Sequence, residues 1–164
     1  MNITFEKLSN NHQKEVMDVF NYYVENSFAA FAETRLPDTF FEKILEKTQN
    51  YPAYAIKDSD TGAMAGFCYL SPYHPMPTFR HTAQISYFIL PHYTHAGAGK
   101  LSLDLLESDA QKLGIRVLLA DISSKNPQSI SFHEKYGFKR CAQLEKVGHK
   151  FGEDFDVIIM QKEL

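Results

Sequence analysis

The sequence has no tryptophan, only two cysteines and no long apolar run. Each scarcity excludes something. Apolar stretches such as 117–120 and 157–160 fall far short of the roughly 20 residues that a helix needs to span a bilayer, so no membrane partner is expected. Cys68 and Cys141 are too few for a disulfide framework or a cysteine metal site. Both sit in apolar, strand-like contexts and read as buried free thiols. A basic excess is also missing. Lys and Arg total 17 against 20 Asp and Glu, a net charge of −3, which argues against a nucleic-acid partner. The opening residues, Met1 to Glu6, lack the basic region and apolar stretch of a secretory signal, and the expected location is cytoplasmic.

What is present is the material of one folded domain spanning 1–164. The chain is 44% hydrophobic and 23% charged, with 13 Phe and 9 Tyr to fill an aromatic-rich core, close to the globular average. Residues 2–7 alternate weakly and predict a first strand. Val16, Val19, Phe20, Tyr23 and Val24 fall at helical spacing and predict an amphipathic helix. Residues 28–36 lack either period and read as a loop. A second helix is expected from Pro37 and Asp38 to about Asn50, with Thr39 and Glu42 at capping-box spacing. Strands at 54–57 and 63–70 flank a turn-rich pentapeptide and predict a hairpin. Three prolines make 71–78 a loop, and 80–90 is the next strand. A glycine-bearing loop at 91–99 leads to a helix ended by Gly114. Residues 116–122 are a near-continuous apolar strand of the kind buried in parallel pairings. A short helix at 127–136, stopped by Gly137, and strands at 138–144 and 154–162 complete the chain. The order β-α-α-β-β-β-α-β-α-β-β predicts a mixed α/β fold with an antiparallel first half.

The glycine loop carries the strongest chemical signal. His95-Ala96-Gly97-Ala98-Gly99-Lys100 lies between a strand and a helix. Small residues there let the backbone approach a ligand, and a helix N-terminus offers free N–H groups to a phosphate. The spacing fits neither a nucleotide P-loop, where Ala98, Leu101 and Thr94 break the pattern, nor a dinucleotide fingerprint, where Ser102 takes the last glycine's place. The pyrophosphate of coenzyme A remains, beside the plain alternative of glycines serving a tight turn.

Gly97 and Gly99, together with Asn126-Pro127-Gln128-Ser129 and Glu134-Lys135-Tyr136-Gly137-Phe138, resemble the signatures of the GNAT superfamily of N-acetyltransferases. Phe79-Arg80-His81-Thr82, His133, and the segments 147–152 and 155–157 narrow the likeness to its phosphinothricin and methionine sulfoximine acetyltransferase branch. The resemblance covers most of the chain. It implies a mostly antiparallel seven-stranded sheet with helices on both faces and a splayed parallel strand pair. It also implies acetyl-CoA as cosubstrate with no metal, a small amino-acid-like amine as acceptor, direct attack in a ternary complex, and a homodimer. On that likeness Tyr87, Phe88, Ile89, His95, Ala96, Gly97, Ala98, Gly99, Lys100, Asn126 and Ser129 hold the cofactor. Gln84, Asn126 and His133 are the catalytic candidates, with His133 assisting departure of the thiolate.

Two positions depart from the family pattern. His95 stands where a glycine is usual, and a side chain at φ > 0 is costly. Gln84 stands where the family has Glu, and an amide cannot take a proton from an ammonium. A histidine is the alternative base, but the strand's period of two sets His81 on the opposite face. Arg80, His81, Thr82, Phe31 and Tyr73 are the candidate substrate contacts: Arg80 as a carboxylate clamp or a solvated charge, Phe31 and Tyr73 with Phe155 as an aromatic wall or as core. His92 and His95 lack the further ligands a metal requires. Two other functions stay open, a CoA-binding module with altered catalysis and an acetyltransferase for a protein N-terminus or lysine.

Overall fold

The computed structural model describes residues 2–164. Its strands are β1 (Ile3–Lys7), β2 (Ala53–Asp58), β3 (Met64–Pro72), β4 (Thr82–Ile89), β5 (Val117–Ser123), β6 (Lys139–Lys150) and β7 (Glu153–Glu163). They form one seven-stranded sheet in the order β1-β2-β3-β4-β5-β7-β6. Every pairing is antiparallel except that of β4 with β5. The helices are α1 (Gln13–Asn26), α2 (Phe41–Lys47), α3 (Ala98–Lys112) and α4 (Pro127–Lys135).

Strand alternation divides the apolar residues between two cores. Ile56, Ala65, Cys68 and Leu70 face α3 and α4 through Leu103, Leu106 and Ile130. Ala55, Met64, Phe67 and Tyr69 face α1 and α2 through Val16, Val19, Phe41 and Ile44. The sheet is therefore covered on both faces, as the family resemblance implies.

Three local expectations are corrected. The second helix is shorter than predicted: a 3-10 turn at Asp38–Phe40 precedes α2, and α2 stops at Lys47. Thr39 lies inside that turn, and neither it nor Glu42 forms a capping box, because Pro37 occupies the cap position without a side-chain bond. Cys68 is buried but Cys141 is exposed, because β6 is the last strand of the sheet and nearly all its side chains face solvent. β6 also runs past residue 144, to Lys150. A register shift between Leu144 and Gly148, with Lys146 at φ 53°, interrupts the alternation that would have marked the strand. Phe151 and Gly152, at φ 53° and 75°, then make the two-residue turn into β7, a geometry whose twist matches that of the paired strands.

Candidate active site

The parallel pair sets the site. β4 and β5 meet only at Thr82↔Val117, Ala83↔Leu118 and Gln84↔Leu119, although β4 continues to Ile89 and β5 to Ser123. β4 is held along its length by β3, and β5 along its length by β7. With each strand anchored on its far side, the pair diverges and a slot opens through the sheet beyond Gln84.

The β4 edge of that slot is a row of backbone groups. Leu90 N–H donates to the Ala65 carbonyl at 2.8 Å, so the alternation of an antiparallel ladder turns the backbone groups of Tyr87 and Ile89 away from β3 and into the slot. Tyr23 O–H donates to the Ile89 carbonyl. Burial, with the neighbouring Tyr22 adding, pushes the Tyr23 phenol up to about 12, so it remains a donor. The Ile89 oxygen is thus capped, and its N–H is the group left facing the opening.

At the end of β4 the chain reaches the glycine loop. Gly97 has φ 82° and caps α3, a left-handed conformation that favours glycine. The first bond of the helix runs from Leu101 N–H to the Gly97 carbonyl at 3.0 Å, which leaves the N–H groups of Ala98, Gly99 and Lys100 without an intrahelical acceptor. A Cβ on Gly99 would meet the Phe132 ring at 3.2 Å, so the loop packs closely on α4. The strain expected at His95 is absent. Among the described residues the non-glycine left-handed positions are Asn50, Lys146 and Phe151, and Gly97 takes the turn instead. Ala96 N–H is bonded to the Tyr93 carbonyl at 3.2 Å. The Lys100 ammonium is paired with Asp104.

Two hollows with shared walls lie at the slot. The smaller, about 180 Å³, is lined by Tyr23, Ile89, Thr94, Gly99, Gln128 and Phe132. The larger, about 500 Å³, is lined by Phe31, Tyr69, Gln84, Asp121, Ser123 and His133 among others. Tyr87, Phe88, Asn126 and Ser129 border both. Asn126 accepts a bond from Ser129 N–H at 3.2 Å and so caps α4; with Pro127 after it, this is a well-formed helix start.

His133 is 3% exposed and both ring nitrogens are engaged. Nδ1 lies 2.7 Å from the Ser129 carbonyl oxygen, which only accepts, so Nδ1 carries the hydrogen. Nε2 is then the acceptor for Tyr87 O–H, and the two rings stack with centroids 5.5 Å apart. Burial pushes the His133 pKa below its usual value, the Ser129 carbonyl opposing in part; the ring is neutral. Burial also raises the Tyr87 phenol well above its usual range.

Gln84 donates through Nε2 to Asp121 Oδ2 at 3.1 Å. Asp121 is missing from the candidates read from sequence.

The expected aromatic wall forms in part. Phe31 stacks on Phe155 at 5.8 Å, and Phe31 lines the larger hollow. Tyr73 instead packs on Phe79 at 5.6 Å. Arg80 bonds the Pro77 carbonyl at 3.1 Å, and His81 Nδ1 lies 3.2 Å from the Gly114 carbonyl. Tyr73, Arg80, His81 and Thr82 do not line either hollow. Thr82 is the first paired residue of β4, at the closed end of the parallel pair.

Residues 16–138 match the Acetyltransferase (GNAT) family. The chain is 29% identical over 150 residues to the L-methionine sulfoximine/L-methionine sulfone acetyltransferase of Salmonella typhimurium, covering 91% of this chain and 87% of that protein. It superimposes on a GNAT superfamily phosphinothricin acetyltransferase from Sinorhizobium meliloti, solved in complex with AcCoA, with a TM-score of 0.92 and 26% identity over 100% of this chain and 89% of that one. A ribosomal-protein-alanine N-acetyltransferase from Brucella melitensis gives a TM-score of 0.89 at 28% identity, over 98% and 99% of the two chains. Among the described residues no helix is long and apolar enough to cross a membrane.

Proposed function

The chain belongs to the GNAT acetyltransferase family, and from that premise we propose that it transfers an acetyl group from acetyl-CoA to the primary amine of a small amino-acid-like molecule. The observation that carries this reading is the slot between β4 and β5. Its unpaired edge at Tyr87 and Ile89 runs from the glycine loop to the larger hollow. The residues present fit the cosubstrate. The N–H groups of Ala98, Gly99 and Lys100, at the positive end of α3, suit a pyrophosphate. The Tyr87 and Ile89 edge suits an extended amide-bearing arm, and Asn126 and Ser129 border it opposite.

When bound there, acetyl-CoA supplies the acetyl group as a thioester. The chain's own groups do the rest. Ile89 N–H points where a carbonyl oxygen gaining charge would be stabilised. The acceptor nitrogen, held in the larger hollow against Phe31, attacks directly, and no cysteine takes part: Cys68 is buried in the core and Cys141 is on the edge strand. His133 orients Tyr87 at the slot, stacking on its ring and accepting from its hydroxyl, and a departing thiolate would take its proton from water. The cytoplasm, where acetyl-CoA is made and used, is the compartment this chemistry needs. The exposed edge of β6, with Leu144 and Val147 on it, is the surface we assign to a homodimer.

The acceptor is named by assay. Free-thiol release from acetyl-CoA should appear with L-methionine sulfoximine, L-methionine sulfone or phosphinothricin. Turnover confined to an alanine-initiated peptide would instead favour the second reading, which the Brucella melitensis relative supports. No release with any of them, at any pH from 6 to about 9, would overturn both and leave a binding module.

A further inference from the structure

The reaction needs a neutral amine, and near pH 7 a typical primary amine is an ammonium. Some group must take its proton. Gln84 cannot. The larger hollow holds four titratable side chains among the described residues: Tyr69 from β3, Tyr87 from β4, Asp121 from β5 and His133 from α4. Among the same residues no Lys or Arg lines it. The tyrosines are protonated at neutral pH. The one ring lone pair of neutral His133 already accepts from Tyr87.

Asp121 remains, and its placement suits the task. It lies two residues beyond Leu119, the last β5 residue paired with β4, so its β4 side is the slot itself. By strand period it shares a face with Leu119 and hence with Gln84. The Gln84 amide holds Oδ2 at 3.1 Å, and Oδ1 is left for a ligand.

We propose that Asp121 receives the acceptor's ammonium proton and that Gln84 is a positioning residue that fixes the carboxylate. The inference rests on the N-acetyltransferase reading. In the step, the N–H bond breaks with its electron pair staying on nitrogen, and the proton moves to Asp121 Oδ1. The amine becomes the nucleophile, and the carboxylic acid returns the proton to water at the mouth of the hollow. Partial desolvation raises the Asp121 pKa, offset in part by the Gln84 bond, while the side chain stays exposed and can exchange its proton with water.

The test uses the whole protein with acetyl-CoA and L-methionine sulfone. Asp121→Asn should lower kcat/KM about 10²–10⁴-fold at pH 7, and the deficit should shrink as pH rises toward the amine's own pKa. The double variant Asp121→Asn, Gln84→Glu returns a carboxylate across the slot and should recover most of the loss. Calorimetric CoA affinity should be the same in Asp121→Asn as in the parent, which separates a lost base from a lost fold or cofactor site. A ¹³C carboxyl resonance should titrate above the usual aspartate range, disappear in Asp121→Asn and move higher still in Gln84→Ala. An unchanged kcat/KM in Asp121→Asn, or a deficit equal at every pH, overturns the proposal while leaving the N-acetyltransferase reading in place. Tight CoA binding without turnover of any amine by the parent protein overturns that reading, and this inference with it.

Discussion

The Lys150 ammonium donates to the Ala30 carbonyl at 2.7 Å and to the Ser27 carbonyl at 2.6 Å, joining the end of β6 to the loop after α1. Its side chain is 1% exposed, and its charge lies 4.8 Å from the Phe151 ring centroid. Beside it, Phe155 covers Gly148 so closely that a Cβ there would overlap the ring, and it stacks on Phe31. The segment that walls the larger hollow is therefore held by the β6–β7 hairpin. Lys150→Met keeps the stem and removes the donors. Each buried carbonyl left unpaired costs about 1–3 kcal/mol. The urea midpoint should fall accordingly, and KM for the acceptor should rise more than kcat falls. An unchanged KM would show that the loop keeps its shape unaided.

Gly97 gives a cleaner probe of the loop proposed to hold the pyrophosphate. A Cβ there would touch nothing within 4 Å, so the cost of Gly97→Ala lies in φ 82° alone, about 1–2 kcal/mol. That variant should lose modest stability and bind CoA several-fold more weakly by calorimetry. Gly97→Glu adds a carboxylate where the pyrophosphate is expected, and it should abolish binding. Full CoA affinity in Gly97→Glu would remove the phosphate assignment from this loop.

Much of the fold and of the glycine loop is legible in the sequence. The order of elements and Gly97 with Gly99 at the head of α3 follow from periodicity, glycine placement and spacing, and the parallel pairing of β4 with β5 is what the family resemblance implies. Asp121 escapes because a single acid barely disturbs the apolar average of its strand; only its register against Gln84, a long-range fact, gives it meaning. The pairing of Tyr87 with His133, 46 residues apart, and that of Lys150 with Ala30 are invisible for the same reason. Arg80 and His81 mislead because a motif shows which residues stand near a strand, not which end of the strand opens. Cys141 misleads because an apolar context does not reveal an edge strand.

Gly66 tests the β4 edge from behind. It faces Ile89 across the β3–β4 ladder, and a Cβ there would lie 2.2 Å from the Phe88 carbonyl oxygen and 2.9 Å from the Ile89 Cα. Both are backbone atoms, so relief requires moving the strand. Gly66→Ala should destabilise by about 1–3 kcal/mol or more. It should also weaken CoA binding, because the displaced residues carry the slot's donor edge. Normal stability together with normal CoA affinity would mean that β4 shifts freely and that its edge does not set the site.

The buried His133 should give stability its own pH signature. Burial lowers its folded-state pKa below the usual value, and the unfolded chain titrates near 6.5. Above about pH 6.5 both states hold the ring neutral, and its contribution is fully present. As pH falls below that value the unfolded chain binds a proton that the folded ring refuses, so stability declines until the folded pKa is reached. Asp121 acts with the opposite sign, since its folded pKa is raised. Urea midpoints of the parent and of His133→Gln, compared between pH 7.5 and about 5.5, isolate the histidine, because other groups cancel in the difference. The parent protein should lose more stability over that range than His133→Gln does, while His133→Gln should be weaker at pH 7.5, where the Tyr87 hydroxyl has lost its partner. A parent protein that instead gained stability relative to His133→Gln toward about pH 5.5 would show that His133 is protonated in the fold. Nε2 would then be a donor, and the tautomer assigned from the Ser129 carbonyl would have to be abandoned.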